Sequence, residues 1–546
     1  MTLDAYTITR QLDALFAPYH RPDAPGLVVG IAHRDQLLYR RGFGMASIEH
    51  DVANTPLTRM RIGSVSKHFT SLAALLLAEE GLLDIDAPAR RYCPELPARD
   101  RDPTLRQFMT HTGGERCFLD LSMLTQGMTM VPDGASLAMQ TRQSERNFPA
   151  GSQMIYSNGG YQLLSIVIER ISGKSFETFL AERIFAPMGM TDTASIPNDM
   201  TIQPRMATLH VPDPAGGWQR GLLPYRRTLG DGAIISTIDD MLRWIAHLRG
   251  DKIVGNAATW REMLTPARFA NGLVSNYSLG LMQTSYRGVS LLHHSGGSIG
   301  GACQRLTIPA YALDIAIITN GALVNPVELS KRIVDIVLDG QLASAESLSP
   351  AYVTEHPAWP GTYRSRDTGA YYEIVERDGA LSLIHFHFSV HPMPLTRLPY
   401  RSADDGVTLM QEGLEGPFHL QLHGGGQRLD LIQCGQRQTL ERLAPAPPCL
   451  IDAASGMSGR YVSRDAAAHA IIALEGESLA LHVQGEYGAA HYRLDPKADD
   501  LFVFTPHETG SLAYGAMRAV RGDDGQAMSL RLDTWRTRQL LFTRVA

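Results

Sequence analysis

Met60-Arg61-Ile62-Gly63-Ser64-Val65-Ser66-Lys67-His68-Phe69-Thr70 is the stretch on which the fold reading turns. It runs into Ser71-Leu72-Ala73-Ala74-Leu75-Leu76-Leu77-Ala78-Glu79-Glu80, a run of strong helix formers that ends at Gly81, a residue suited to the left-handed position past a helix. Ser64 therefore sits at or just inside a helix N-terminus. Lys67 follows about one helical turn later, so the hydroxyl and the amine project from the same face. A serine hydroxyl is a weak nucleophile until a neighbouring base takes its proton, and the helix dipole stabilises the negative charge that develops. Most serines at helix starts are only caps, and lysine usage weighs against that reading here. The only lysines are Lys67, Lys174, Lys252, Lys331 and Lys497, so nearly all of the 50 basic residues are arginine. Arginine stays charged in a protein, whereas a desolvated lysine can serve as a base.

At 546 residues the chain exceeds one ordinary domain, and length alone suggests roughly three or four. A hydrophobic content of 44%, a charged content of 19% and a formal net charge of −6 describe a globular chain with no electrostatic footprint for nucleic acid or an anionic membrane. Cys93, Cys117, Cys303, Cys434 and Cys449 are odd in number and lack metal-ligand spacing, which fits structural thiols in a reducing compartment. The first residues carry charges through a helix-like apolar stripe instead of a signal-peptide core, and no run is long enough to span a bilayer. The expected location is cytoplasmic.

Working outward from Ser64, Gly26 to His33 and Gln36 to Gly44 read as two strands joined at Arg34-Asp35. Much later, residues 290–293, 304–308 and 313–320 read as three more strands, followed by a helical pattern from Pro326 to Leu338. A region that starts and ends in strands with helices between implies one antiparallel sheet flanked by helices, an α+β unit.

Two further motifs lie in that region. Tyr156-Ser157-Asn158 follows a turn at Phe148-Pro149-Ala150-Gly151 and opens a helical run ending at Gly173, so Tyr156 and Asn158 can point together into a cleft. His293-His294-Ser295-Gly296-Gly297 closes a strand, where glycines let the backbone approach a substrate. Paired histidines invite a metal reading. Adjacent strand residues point to opposite faces, and no carboxylate or cysteine lies at ligand spacing, so no metal is expected.

Ser64-x-x-Lys67, Tyr156-x-Asn158 and His294-x-Gly296, in this order, resemble the penicillin-recognising serine hydrolases, the class C β-lactamase-like superfamily with its D,D-peptidases, esterases and D-aminopeptidases. Thr104 to Gly113, Phe185 to Asp192 and Gly230 to Thr237 look like the same superfamily. Its third motif often carries lysine where this chain has His294. Histidine there is shared with D-aminopeptidases and some esterases, and it removes a permanent positive charge.

Residues 341–546 narrow the choice. Gly361-Thr362-Tyr363-Arg364-Ser365-Arg366-Asp367 recurs as Gly459-Arg460-Tyr461-Val462-Ser463-Arg464-Asp465, and Arg428-Leu429-Asp430 recurs as Arg531-Leu532-Asp533. Leu440 to Leu443 match Phe542 to Val545. This is a duplicated β unit, each copy expected as an antiparallel barrel. The expected domains are 1–342, 355–445 and 453–546, with linkers at 342–360 and 444–454.

A β-lactamase-like domain followed by two barrels resembles the D-aminopeptidases, which release N-terminal D-residues from short peptides and amides. The resemblance implies a catalytic set of Ser64, Lys67 and Tyr156, and substrate binding by Asn158, His294, Gly296 and Gly297. It also implies a barrel loop reaching the active site. The matching stretch is 484–490, where Glu486 is the only acid and the candidate reader of a substrate ammonium. No cofactor is implied, and the expected partner is a small molecule or short peptide with an N-terminal D-residue, with a homodimer as a possible assembly. The alternatives are an esterase or amidase with the same machinery, a D,D-peptidase, and a catalytically silent binding protein.

Overall fold

A computed structural model describes residues 4–344, 349–355, 357–366, 368–385, 393–394, 396–397, 408–411, 418–433, 436–445, 454–507, 511 and 513–545. Cys434, Cys449 and most of the expected 444–454 linker lie outside the described residues.

The first unit is built on a six-stranded antiparallel sheet in the order Met282–Tyr286, Val289–Ser298, Gly301–Ile308, Leu313–Thr319, Leu27–His33, Gln36–Phe43. Both ends of the unit thus close one sheet, with Leu27 opposite Thr319 and His33 opposite Leu313. Arg34 and Asp35 both take left-handed φ, 53° and 61°, as a two-residue hairpin turn with the right twist demands. Strand alternation sorts the faces. Leu27, Val29, Ile31, Ile315 and Ile317 pack with Leu12 and Phe16 of the Ala5–Phe16 helix and Ile333 of the Pro326–Val337 helix. Val28, Ala316 and Ile318 face the opposite layer, where Phe69 and Leu72 of the Ser66–Glu79 helix and Ile238 and Met241 of the Ile238–Arg249 helix lie. The Ser66–Glu79 helix is buried from Ser66 through Leu77, the mark of a central helix packed on all sides. It stops where Gly81 takes φ 73°.

The duplicated region forms two sheets. Strands Gly459–Ser463, Ala468–Glu475, Ser478–Gln484, Ala489–Ala498, Leu501–Pro506, Gly515–Arg521, Ala527–Thr534 and Leu540–Val545 close a barrel in chain order. The earlier copy is a ten-stranded antiparallel sheet that is not closed among the described residues, against the expectation of two barrels. It curls back on itself: Met393–Pro394 sits at one edge and Thr396–Arg397 next to the other edge, and one residue separates them in sequence. The duplication reaches to single atoms. Tyr363 donates to the Trp359 carbonyl at 2.8 Å and Tyr461 to the Met457 carbonyl at 2.7 Å, while Arg442 and Arg544 each lie 5.8 Å over the matching ring. The expected 342–360 linker is partly core, since Ala351 and Trp359 are buried.

In a closed meander alternate hairpin turns fall at one end. Here that end is seated on the first unit. Asp465 pairs with Arg116 at 2.7 Å, the backbone N–H groups of Tyr487 and Gly488 donate to Gln126 Oε1 at 2.7 and 2.8 Å, and Arg538 N donates to Asn147 Oδ1 at 2.7 Å. Phe118, Leu121 and Leu124 of the Phe118–Gln126 helix share one core with Tyr461, Leu479 and Leu481 of the barrel. No helix among the described residues is long and apolar enough to cross a membrane.

Candidate active site

Ser64 lies in a single 3-10 turn, Gly63–Val65, which leads directly into the Ser66–Glu79 helix. Lys67 Nζ lies 3.1 Å from Ser64 Oγ, 2.8 Å from Asn158 Oδ1 and 2.8 Å from the Asp231 backbone carbonyl. Asn158 is the first residue of the Asn158–Ser172 helix, which fixes its side chain at the cleft. An ammonium could donate to all three oxygens. A neutral amine has two N–H groups, and the two acceptors that can never donate, an amide oxygen and a peptide carbonyl, take both. Its lone pair is then left facing Ser64 Oγ. Burial favours that neutral form, pushing the Lys67 pKa down to about 7 against the opposing pull of Asp231, with Arg536 adding to the fall. Burial likewise pushes Asp231 up to about 6, against Lys67. Desolvation outweighs mutual attraction in both partners.

Tyr156 is buried with its ring 4.8 Å from Lys67 Nζ. Its hydroxyl closes no hydrogen bond of standard geometry. Burial raises the phenol's pKa well above its ordinary value, and the nearby Ser64 hydroxyl and Arg536 charge offset only part of that rise. Tyr156 is therefore a neutral phenol at physiological pH. His111 holds it in place: the ring centroids are 4.1 Å apart, and His111 Nδ1 accepts from Ser157 N at 3.1 Å. His111 does this from a left-handed backbone, φ 59°, a strained state that a surrounding network has to maintain.

His294 is buried, and its Nδ1–H donates to the Ser295 carbonyl at 2.5 Å while its Nε2 accepts from Tyr277 Oη at 2.9 Å. Burial and the Lys67 charge hold its pKa well below the usual imidazole range, so the third motif carries no positive charge. His293 faces away and meets Thr284 Oγ1 at 2.9 Å. Gly296 presses on the nucleophile's turn so closely that a Cβ there would lie 2.0 Å from the Ile62 carbonyl oxygen and 2.9 Å from Ser64 N. Gly297 has open space in front of it and is exposed. The sequence-read residues Ser64, Lys67, Tyr156, Asn158, His294, Gly296 and Gly297 thus come together around the nucleophile.

Glu486 does not join them. Its carboxylate pairs with Arg142 at 2.8 Å, and the side chain is 43% exposed. Glycines at 485 and 488 do permit a close approach, but to Gln126 and Thr129. The barrel reaches the cleft through its last hairpin instead. Trp535 stacks on Tyr156 with centroids 6.3 Å apart and planes within 13°, and the Arg536 guanidinium lies 5.9 Å over the same ring. Asp120 anchors this turn, accepting from Thr534 Oγ1 and Arg536 N at 2.6 Å each. His111, Asp231, Tyr277, Trp535 and Arg536 were not singled out by sequence. One signal was available for the barrel pair: the two copies agree at Arg-Leu-Asp and then diverge, Leu431-Ile432-Gln433 against Thr534-Trp535-Arg536.

The beta-lactamase family model matches residues 12–337, which take in the whole six-stranded sheet and run from within the Ala5–Phe16 helix to the end of the Pro326–Val337 helix. The D-aminopeptidase of Cereibacter sphaeroides is 25% identical over 566 aligned positions that span 100% of both chains. The D-aminopeptidase of Brucella canis is 27% identical over 364 positions, 65% of this chain and 66% of that one. Among solved structures, the octameric penicillin-binding protein homologue from Pyrococcus abyssi shares the fold, with a TM-score of 0.55 at 20% identity over 80% of this chain and 100% of its own. With well over half its length matched and the Ser-x-x-Lys pair set at the head of the central helix, the chain belongs to the beta-lactamase family.

Proposed function

We propose that this protein is a serine hydrolase that works through an acyl-enzyme and releases N-terminal D-amino acids from short peptides and amides. In this reading neutral Lys67 takes the Ser64 proton as Oγ attacks the carbonyl, and the backbone N–H groups of Ser64 and Gly297 bind the oxyanion, at about 3–4 kcal/mol per donor. Tyr156, a phenol at working pH, passes a proton to the departing amine and recovers one through Lys67. Water then hydrolyses the ester by the reverse route. Asn158 holds Lys67 in register, and His294, with Tyr277, buttresses the cleft as a neutral group.

The observation that carries the substrate class is the likeness to a D-aminopeptidase along the entire chain, barrel included. An aminopeptidase has to read a free ammonium. With Glu486 tied to Arg142, that task falls to Asp231, a buried carboxylate whose Oδ1 accepts no hydrogen bond. The test is a panel of D- and L-alanyl anilides, free and N-acetylated. Turnover of the free D-form at least about a hundredfold above the others is expected, a discrimination of the size a buried polar pocket can supply. Equal turnover of free and acetylated forms would leave an esterase or amidase.

A further inference from the structure

We propose that Arg536, carried on the barrel turn between Ala527–Thr534 and Leu540–Val545, forms a carboxylate-binding subsite of the Ser64 cleft that takes the C-terminal carboxylate of a short peptide's leaving residue. The inference rests on the peptide-hydrolase reading above and names the substrate within it: D-aminoacyl peptides with a free C-terminus, preferred over the corresponding amides.

Arg536 is a buried cation brought to the Tyr156 ring by the last hairpin of the barrel. Placing a guanidinium in a dry site costs several kcal/mol unless its N–H groups are met. Arg116, nearby in the same interface, shows what a purely structural arginine looks like here. Its Nε donates to the Arg538 carbonyl at 3.0 Å, its Nη1 to Asp465 at 2.7 Å and Gln143 at 3.2 Å, and its Nη2 to Glu145 and the Gln539 carbonyl at 3.0 Å each. Among the described residues the Arg536 side chain has one hydrogen bond, Nη1 to Asp120 Oδ1 at 3.2 Å, and its buried Nε finds no acceptor. Asp120 spends its Oδ2 on Thr534 and the Arg536 backbone, so only its Oδ1 meets the fork, at one prong. Arg61, Arg305, Arg364 and Arg538 also keep one buried nitrogen without an acceptor. Arg536 differs in position, because among the described residues it and Lys67 are the two cations over the Tyr156 ring, at 5.9 and 4.8 Å.

Charge logic points the same way. Lys67 has to be neutral to act as a base, and His294 is neutral where related sequences often carry lysine. Arg536, paired on one side with Asp120, is left as the permanently charged group over the Tyr156 ring, braced by the Trp535 ring at 4.0 Å. Tyr156 stands where the departing amine is protonated, and in a peptide the carboxylate of a single leaving residue lies two bonds beyond that nitrogen. A planar carboxylate can accept from guanidinium N–H groups that Asp120 leaves unmet.

The experiment compares D-alanyl-glycine with D-alanyl-glycinamide, which differ only in that carboxylate. The wild-type ratio of kcat/KM, acid over amide, is expected at about tenfold or more, falling to about one in Arg536→Gln and only partly in Arg536→Lys, as loss of one charge-assisted pair predicts. A wild-type ratio near one, or a ratio unchanged in a stably folded Arg536→Gln, overturns the subsite. D-aspartyl and D-asparaginyl anilides test the other source of a carboxylate: an aspartyl preference that vanishes in Arg536→Gln would overturn the leaving-group assignment. Should Arg536→Gln melt early, wild-type protein decides the matter. N-acetylglycine should protect Ser64 from a phosphonate probe about tenfold better than N-acetylglycinamide, and equal protection overturns the proposal. If neither dipeptide is hydrolysed, the aminopeptidase reading fails separately and the protection ratio still judges the subsite.

Discussion

At the scale of single residues, the chemistry turns on one amine held neutral. Ser64→Ala is expected to abolish labelling by an acyl or phosphonate probe. Lys67→Ala should lower kcat/KM by about 10³-fold or more with the melting temperature close to wild type, since members of a catalytic unit lose most activity singly. The pH profile carries the finer test. Protonated Lys67 is inactive, so kcat/KM should rise with pH through about 7, the value to which burial lowers the amine, instead of near a free lysine's 10.5. Arg536 helps lower that pKa, so Arg536→Gln should move the rising limb to higher pH; Asp231 opposes the fall, so Asp231→Asn should move it lower. A limb that stays fixed in both variants would remove Lys67 as the titrating base. Asp231→Asn should also raise KM for free-amine substrates about tenfold relative to their N-acetyl forms, the cost of one charge-assisted hydrogen bond. Equal changes on both substrate types would take ammonium recognition away from Asp231.

Among the elements, one close fit bears on the nucleophile, that between the Val289–Ser298 strand and the turn that bears Ser64. Gly296→Ala would set a methyl 2.0 Å from the Ile62 carbonyl, backbone against backbone, so strand and turn have to part. We expect a destabilisation of about 1–3 kcal/mol and a larger fall in activity than in stability, read by urea melts beside kcat/KM; wild-type activity would show that the turn tolerates displacement. Glu486→Gln removes half of a partly exposed pair with Arg142, so it should cost no more than about 1 kcal/mol and leave the preference for free amines unchanged. A selective rise in KM for free-amine substrates would restore Glu486 to the site. These two positions show where sequence is legible. The hairpin through Arg34-Asp35, the Ser66–Glu79 helix and its glycine stop, and the strands around His294 follow from local spacing, and all formed as expected. The choice between barrel turns does not follow from spacing. Alternate turns share one end, and which of them lies over Tyr156 depends on how the barrel is rotated on the first unit, a matter settled by contacts such as Asp120 with Arg536 across 416 positions.

For the molecule as a whole, the barrel completes the first unit's core. The Phe118–Gln126 helix belongs by sequence to the beta-lactamase-like region, yet Phe118, Leu121, Met123 and Leu124 are buried in the cluster they share with the barrel. Removing the barrel would return Arg116 and Asp120 to water at little cost, because freed charges are rehydrated. The apolar side chains have no such recourse. At about 1.5–3 kcal/mol each, exposing these four forfeits about 6–12 kcal/mol, as much as the entire net stability of an ordinary domain. The same cut removes Trp535 from the face of Tyr156 and Arg536 from the neighbourhood of Lys67. Residues 1–342 expressed alone are therefore expected to be insoluble, or collapsed with weak near-ultraviolet circular dichroism, and to leave Ser64 unlabelled by a phosphonate that marks the full chain. In the full chain the first unit and the barrel should melt together, in one transition followed equally by tryptophan fluorescence and by loss of Ser64 labelling. A soluble 1–342 fragment labelled at the full-chain rate would show that the barrel is dispensable for the nucleophile, and would confine its part in the reaction to the substrate's far end.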